Sequence, residues 1–120
     1  ERSIYTDKYV FAKMLYQQSF ISEIEWTTYN YWFDTFKEQT SLNSIIYINT
    51  EPEICLQRIK NRNRAGESNI PIEYLYHCHE LHSNWLKNPS DKVNVIIFDG
   101  NKNLENEENY IESLNLDSYI

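Results

Sequence analysis

Residues 44–64 read SIIYINTEPEICLQRIKNRNR, and three signals lie end to end in them. Ser44–Asn49 is an uncharged, β-branched run, the pattern of a short strand buried in a sheet. Thr50-Glu51-Pro52-Glu53 follows, a capping-box pattern with the proline tolerated in the first helical turn. The helix it opens is expected to run to about Asn63, and Gly66 breaks the pattern beyond it. The third signal is charge: Arg58, Arg62 and Arg64 crowd the end of that helix.

Working outward, the elements alternate. A further helix is predicted from near Pro71 through Trp85, stopped by Asn88-Pro89. Residues 93–98 (VNVIIF) repeat the buried-strand pattern and end at Asp99-Gly100-Asn101. Acidic residues 104–115 predict a short closing helix. Upstream, residues 4–18 carry Ile4, Val10, Phe11, Met14 and Leu15 at helical spacing, with Ser3 available as N-cap. Ser22-Glu23-Ile24-Glu25 is a second capping box, opening a helix to about Lys37. On it Trp26, Tyr29, Trp32, Phe33 and Phe36 share one broad face, expected to serve as core or dimer interface. Two apolar strands separated by helices of this length imply a parallel sheet with covered faces. Two strands alone make a poor sheet. The remaining strands are therefore expected upstream, in keeping with an abrupt start at Glu1-Arg2-Ser3 without an initiator Met.

A chain of 120 residues is one domain or part of one, and 41% hydrophobic residues suffice for a core. Two glycines and three prolines argue against a linker. No apolar run approaches a membrane span, and nothing at the start resembles a signal peptide. A formal charge of −7 makes a nucleic-acid backbone a poor partner for the surface as a whole. Yet three of the four arginines fall within seven positions, which points to a local anion. Cys55 and Cys78 have no framework spacing and read as reduced, buried thiols of an intracellular protein, cytoplasmic or mitochondrial.

Arg58 and Arg62, four apart, project from one helix face, while Arg64 is expected where the helix gives way to a loop. Guanidinium forks bind phosphate oxygens bidentately and stay charged at physiological pH. Phosphoryl transfer needs such donors around a charge-rich transition state. A solvated helix face is the plainer alternative. The scarcity of arginine elsewhere and the glycine-containing loop that follows weigh against it. His77, Cys78, His79 and His82 invite a zinc reading. Adjacent helical residues diverge by about 100°, so the site lacks three converging ligands. A helix packing its histidines against neighbours is expected instead.

Here a resemblance becomes specific. Glu1-Arg2-Ser3-Ile4-Tyr5-Thr6-Asp7-Lys8-Tyr9 is similar to the E-R-S motif region of deoxynucleoside kinases of the deoxycytidine and deoxyguanosine kinase type. Residues 55–64 (CLQRIKNRNR) followed by residues 67–75 (ESNIPIEYL) resemble that family's lid and the helix after it. Ile24-Glu25-Trp26, the strand at residues 45–48 and Ile97-Phe98-Asp99-Gly100-Asn101 also match in order and approximate spacing. The similarity covers most of the chain, and its two motifs are specific in combination.

The resemblance implies a P-loop kinase fold, a three-layer α/β/α arrangement around a parallel sheet, of which residues 1–120 form the C-terminal part. It implies transfer of the ATP γ-phosphoryl group to the 5′-hydroxyl of a deoxynucleoside, with Mg2+. Arg2 then corresponds to the arginine near the 5′-oxygen and reacting phosphates, and Glu1 to the acid near magnesium. Asp7 matches a residue at the floor of the base pocket. Arg58, Arg62 and Arg64 match lid arginines over the ATP phosphates, in a lid of about residues 58–70. Glu67 matches the carboxylate that reads the sugar 3′-hydroxyl. Lys102, Asn103 and Leu104 occupy the loop bordering adenine. A homodimer through the helices of residues 4–38 is implied as well, with neither nucleic acid nor membrane as partner. Ala65-Gly66 departs from the usual, more acidic lid, which bears on how the lid closes.

No G-x-x-x-x-G-K-[ST] occurs in the chain, and the family's general base is absent with it, so these residues alone are expected to be inactive. A nucleoside monophosphate kinase is one alternative, but its phosphorylated acceptor wants a further basic site. A non-catalytic, dimerising nucleotide-binding fragment is the other.

Overall fold

In a computed structural model covering residues 2–67, 69–89 and 93–102, five helical elements and two strands realise these patterns. The first helix, α1, runs through three successive stretches: α-helical Ile4–Thr6, π-helical Asp7–Ala12 and α-helical Lys13–Gln17. Ser3 precedes it in extended conformation, but its hydroxyl makes no capping bond, contrary to the expectation from sequence. The Ser3 carbonyl does take the first helical bond, from the Asp7 N–H at 3.2 Å.

Helix α2, Glu23–Phe36, opens as predicted. The Glu25 N–H donates to Ser22 Oγ at 3.4 Å and the Ser22 N–H to Glu25 Oε2 at 2.8 Å, closing the capping box. A 3₁₀ turn, Lys37–Thr40, ends the helix and leads to strand β1, Ser44–Asn49. Helix α3, Pro52–Arg62, begins one residue later than the capping-box pattern requires: its N-cap is Glu51, with no side-chain cap. Two tertiary contacts supersede the predicted box. The Glu51 N–H donates to Asn101 Oδ1 at 2.8 Å, and the Glu53 carboxylate accepts from the Tyr76 hydroxyl. Asn63 ends α3 in the left-handed region at φ 48°, and Gly66 takes φ 87° just beyond. Helix α4, Ile72–Lys87, and strand β2, Asn94–Asp99, complete the described elements. The predicted helix over 104–115 lies outside the described residues.

The strands pair in parallel, Ser44 beside Asn94 through Asn49 beside Asp99, joined by the α3–α4 crossover. Packing centres on α1 against α4, where Val10, Met14 and Leu81 are buried with Phe11, Cys78 and Trp85 around them. Tyr9 stacks on Trp85 at 5.3 Å and meets Phe33 of α2 edge-on. Tyr47 of β1 stacks on His82 of α4. The expectation of strands covered on both faces fails among the described residues: Ile46 and Ile48 on one face and Ile97 on the other are each more than half exposed. Of the isoleucines in the two strands only Ile96 is buried. The thiols Cys55 and Cys78 are free but half-buried rather than buried, and their partial burial pushes both pKa values up.

Candidate functional site

The carboxyl ends of β1 and β2 lie side by side, and the chain leaving each is bound to the other. The Gly100 N–H donates to the Asn49 carbonyl at 2.7 Å, and the Asn101 N–H to Asp99 Oδ1 at 3.0 Å. A side chain at residue 100 has no room: its Cβ would fall on Thr50 Oγ1, 2.7 Å from Ile48 Cγ2 and 3.1 Å from the Asn49 carbonyl oxygen. Ligands of open parallel sheets bind at this end of the strands.

Helix α3 starts at the same junction and carries the arginines across it. Arg58 Nη1 donates to the Gly100 carbonyl at 2.7 Å, and Nη2 to Lys102 at 3.0 Å and Asn101 at 3.5 Å. Arg62, one turn on, reaches the other way: its Nη2 stands 2.5 Å from Glu67 Oε2. Arg64 is exposed on the turn between them, as its spacing predicted. The turn is held by the Glu67 N–H on the Arg64 carbonyl at 3.2 Å and the Ile70 N–H on the Glu67 carbonyl at 3.3 Å. The structure thus joins Arg62 with Glu67, and sets Arg58 apart on the loop after β2.

The Arg2 guanidinium lies 4.3 Å over the Phe11 ring. It borders a groove of about 700 Å³ shared with Thr6, Ser44, Ile46 and His82. Asp7 is exposed at the start of the π-helical stretch, and its Oδ2 accepts from the Tyr29 hydroxyl at 2.5 Å. Burial, then the Asp7 carboxylate, push the Tyr29 phenol well above its ordinary pKa, so the hydroxyl stays a donor. Tyr29 is the residue sequence reading missed, filed with the aromatic stripe of α2. No signal in the sequence marks it, because the contact spans two helices. Glu1, Asn103 and Leu104 lie outside the described residues; of the loop expected beside adenine, Lys102 alone is described.

Among the described residues no group of three His, Cys, Asp or Glu stands close enough to hold a metal. Two of the three imidazoles make hydrogen bonds: His77 Nε2 is 2.9 Å from Gln17 Oε1, and His82 Nδ1 is 2.7 Å from the Cys78 carbonyl. A carbonyl only accepts, so His82 carries its proton on Nδ1. Burial holds its pKa down.

The deoxynucleoside kinase family model matches residues 1–117. The chain belongs to the deoxynucleoside kinase family. It is 43% identical over 98 residues to human deoxycytidine kinase, covering 78% of this chain and 38% of that protein. To the mitochondrial deoxyguanosine kinase of Xenopus laevis it is 36% identical over 108 residues, 87% of this chain and 40% of the relative. To the probable deoxycytidine kinase of fowlpox virus it is 34% identical over 120 residues, 95% and 51% respectively. The chain therefore spans between about two-fifths and half the length of these deoxynucleoside kinase relatives. The family's fold is of the P-loop kinase type, and the helix-flanked parallel pair β1–β2 is a portion of such an α/β sheet. No described helix is long and apolar enough to cross a membrane.

Proposed function

We propose that these residues form the lid-bearing half of an ATP-dependent deoxynucleoside kinase, which transfers the γ-phosphoryl group to a deoxynucleoside 5′-hydroxyl. Arg62 beside Glu67 is the observation that carries the reading. A phosphate-type donor and a hydroxyl-type acceptor, five residues apart, share one short turn beyond α3. Movement of that turn would bring both to a nucleotide at once. Arg62 and Arg64 serve the ATP phosphates, and Glu67 accepts from the sugar 3′-hydroxyl. Arg2 stands toward the 5′-oxygen and reacting phosphates, Asp7 at the base, and Lys102, with Asn103 and Leu104, beside adenine. Such a site works by positioning and by electrostatic stabilisation of charge that develops on the transferring group.

Magnesium would enter with ATP, held by substrate phosphates and one or two carboxylates. Glu1, the acid assigned to it, lies outside the described residues, and among the described ones no three His, Cys, Asp or Glu side chains stand close enough to hold a metal. The whole protein would pair as a homodimer through the helices of residues 4–38, a reading supported by Tyr31 and Trp32, which are 71% and 55% exposed on α2. The proposal includes an intracellular location.

The test is a competition assay of the full-length protein with labelled ATP and all four deoxynucleosides. Deoxynucleosides with an amino-bearing base should be preferred, since an ionised Asp7 only accepts hydrogen bonds. Asp7→Ala should improve relative activity on thymidine. No turnover with any deoxynucleoside would sink the kinase reading, whereas a strong thymidine preference in the wild type would sink only the role of Asp7. Residues 1–120 alone, which contain no phosphate-binding G-x-x-x-x-G-K-[ST] loop, should transfer nothing above a mock purification.

A further inference from the structure

Three successive carbonyls, those of Gly100, Asn101 and Lys102, converge on the one guanidinium of Arg58 at 2.7, 3.5 and 3.0 Å. Backbone carbonyls turned to one point need a cation or several donors to hold them there, since each would otherwise seek its own water. The fork of arginine supplies those donors with fixed geometry. The rest of the loop is tied down independently. Gly100 is pinned through its N–H to β1 and has no room for a side chain, and Asn101 Oδ1 receives the Glu51 N–H at the start of α3. Arg58 closes this arrangement from the middle of α3, so that helix and the loop after β2 are joined by hydrogen bonds at several points.

We propose that Arg58 is a positioning residue that fixes the loop at residues 100–102, rather than a ligand of the ATP phosphates. The inference deepens the kinase reading, because it takes that loop to border the adenine of ATP. Nη1 and Nη2 already face carbonyls, so a phosphate gripping both in a bidentate fork would compete with the loop for them, and only the Nε–H and the second Nη1 hydrogen are left uncommitted. Arg62 is differently placed, since an incoming phosphate would displace a single, partly exposed carboxylate.

Two substitutions in the full-length protein separate the roles. Arg58→Gln keeps an N–H₂ donor for the carbonyls and removes the charge; Arg58→Met keeps the reach and removes both. For a positioning residue, Arg58→Met should raise KM for ATP roughly tenfold with kcat within about threefold, the signature of lost binding rather than lost transition-state contact. Arg58→Gln should recover much of that loss. Hydrogen exchange at the amides of residues 100–102 should quicken in Arg58→Met and less in Arg58→Gln. Equal collapse of kcat in both variants, with exchange unchanged, would make Arg58 a phosphate ligand and overturn the proposal. The exchange measurement needs no turnover: it tests the anchor even if the protein proves not to be a kinase. A protein with turnover but an unaltered loop would fault the anchor alone.

Discussion

Arg58 and Arg62 are one helical turn apart on α3, yet they live in different regimes. Arg58 faces three backbone carbonyls of a loop that is also tied at Gly100 and Asn101. Arg62 faces one carboxylate, in a pair whose side chains are 47% and 29% exposed. A hydrogen bond to a charged group contributes roughly 1.5–3 kcal/mol, while a solvent-exposed ion pair contributes about 0.2–1 kcal/mol. Arg58 is itself exposed and only its bond to Gly100 is part-buried, so each bond falls toward the low end of the first range, and its advantage lies in the number of carbonyls it holds. The end of α3 near the sheet is therefore built to stay, and the end near Gly66 to let go. The proposed lid would use both: an anchored base and a tip whose contacts a ligand can replace.

The comparison breaks most visibly if the tip does not serve chemistry. In the full-length protein Arg62→Ala should lower kcat by far more than it weakens nucleoside binding, a loss of roughly 2–4 kcal/mol of transition-state stabilisation. Single-turnover rates within about twofold of wild type would return Arg62 to a solvated surface. Its stability cost should be small, because only an exposed pair is lost.

The anchored base should show the reverse balance. Gly100→Ala forces a methyl group onto Thr50 Oγ1 and toward Ile48 and the Asn49 carbonyl, and overpacking of this kind costs about 1–3 kcal/mol. Denaturant unfolding of the full-length protein would measure it. A midpoint unchanged from wild type would mean that the junction gives way easily, and the distinction between base and tip would lose its structural half.

The smallest effect sharpens the tip itself. Glu67→Gln keeps the shape and an acceptor oxygen but removes the charge, at a cost of about 1 kcal/mol toward a sugar hydroxyl. The ratio of kcat/KM for a deoxynucleoside over its 3′-deoxy analogue should shrink, with ATP affinity largely kept. An unchanged ratio would leave Glu67 as a partner of Arg62 and nothing more.

Local rules carried much of the fold. The Ser22–Glu25 box, the breaks at Asn63 and Gly66, the stop at Asn88 and the parallel pairing of two apolar runs were all legible, since each depends on neighbours within about one turn or on composition. The Thr50–Glu53 box was equally legible and did not form. The Glu53 carboxylate it would have used accepts from Tyr76 instead, and the N-cap moved to Glu51, whose N–H donates to Asn101. The π-helical stretch from Asp7 to Ala12 could not be read either, as the apolar spacing of residues 4–18 fits an ordinary helix.

The sequence by itself determined the order of elements, the clustering of arginines at the end of one helix, and membership of the deoxynucleoside kinase family. Only the tertiary structure decided what each charged group faces. Arg58 reaches carbonyls 42 to 44 residues away, and Asp7 accepts from a tyrosine 22 residues away. Helical periodicity assigns a side chain to a face, but packing decides what stands opposite that face. A guanidinium among carbonyls and a guanidinium beside a carboxylate are the same residue in the sequence and two different devices in the fold.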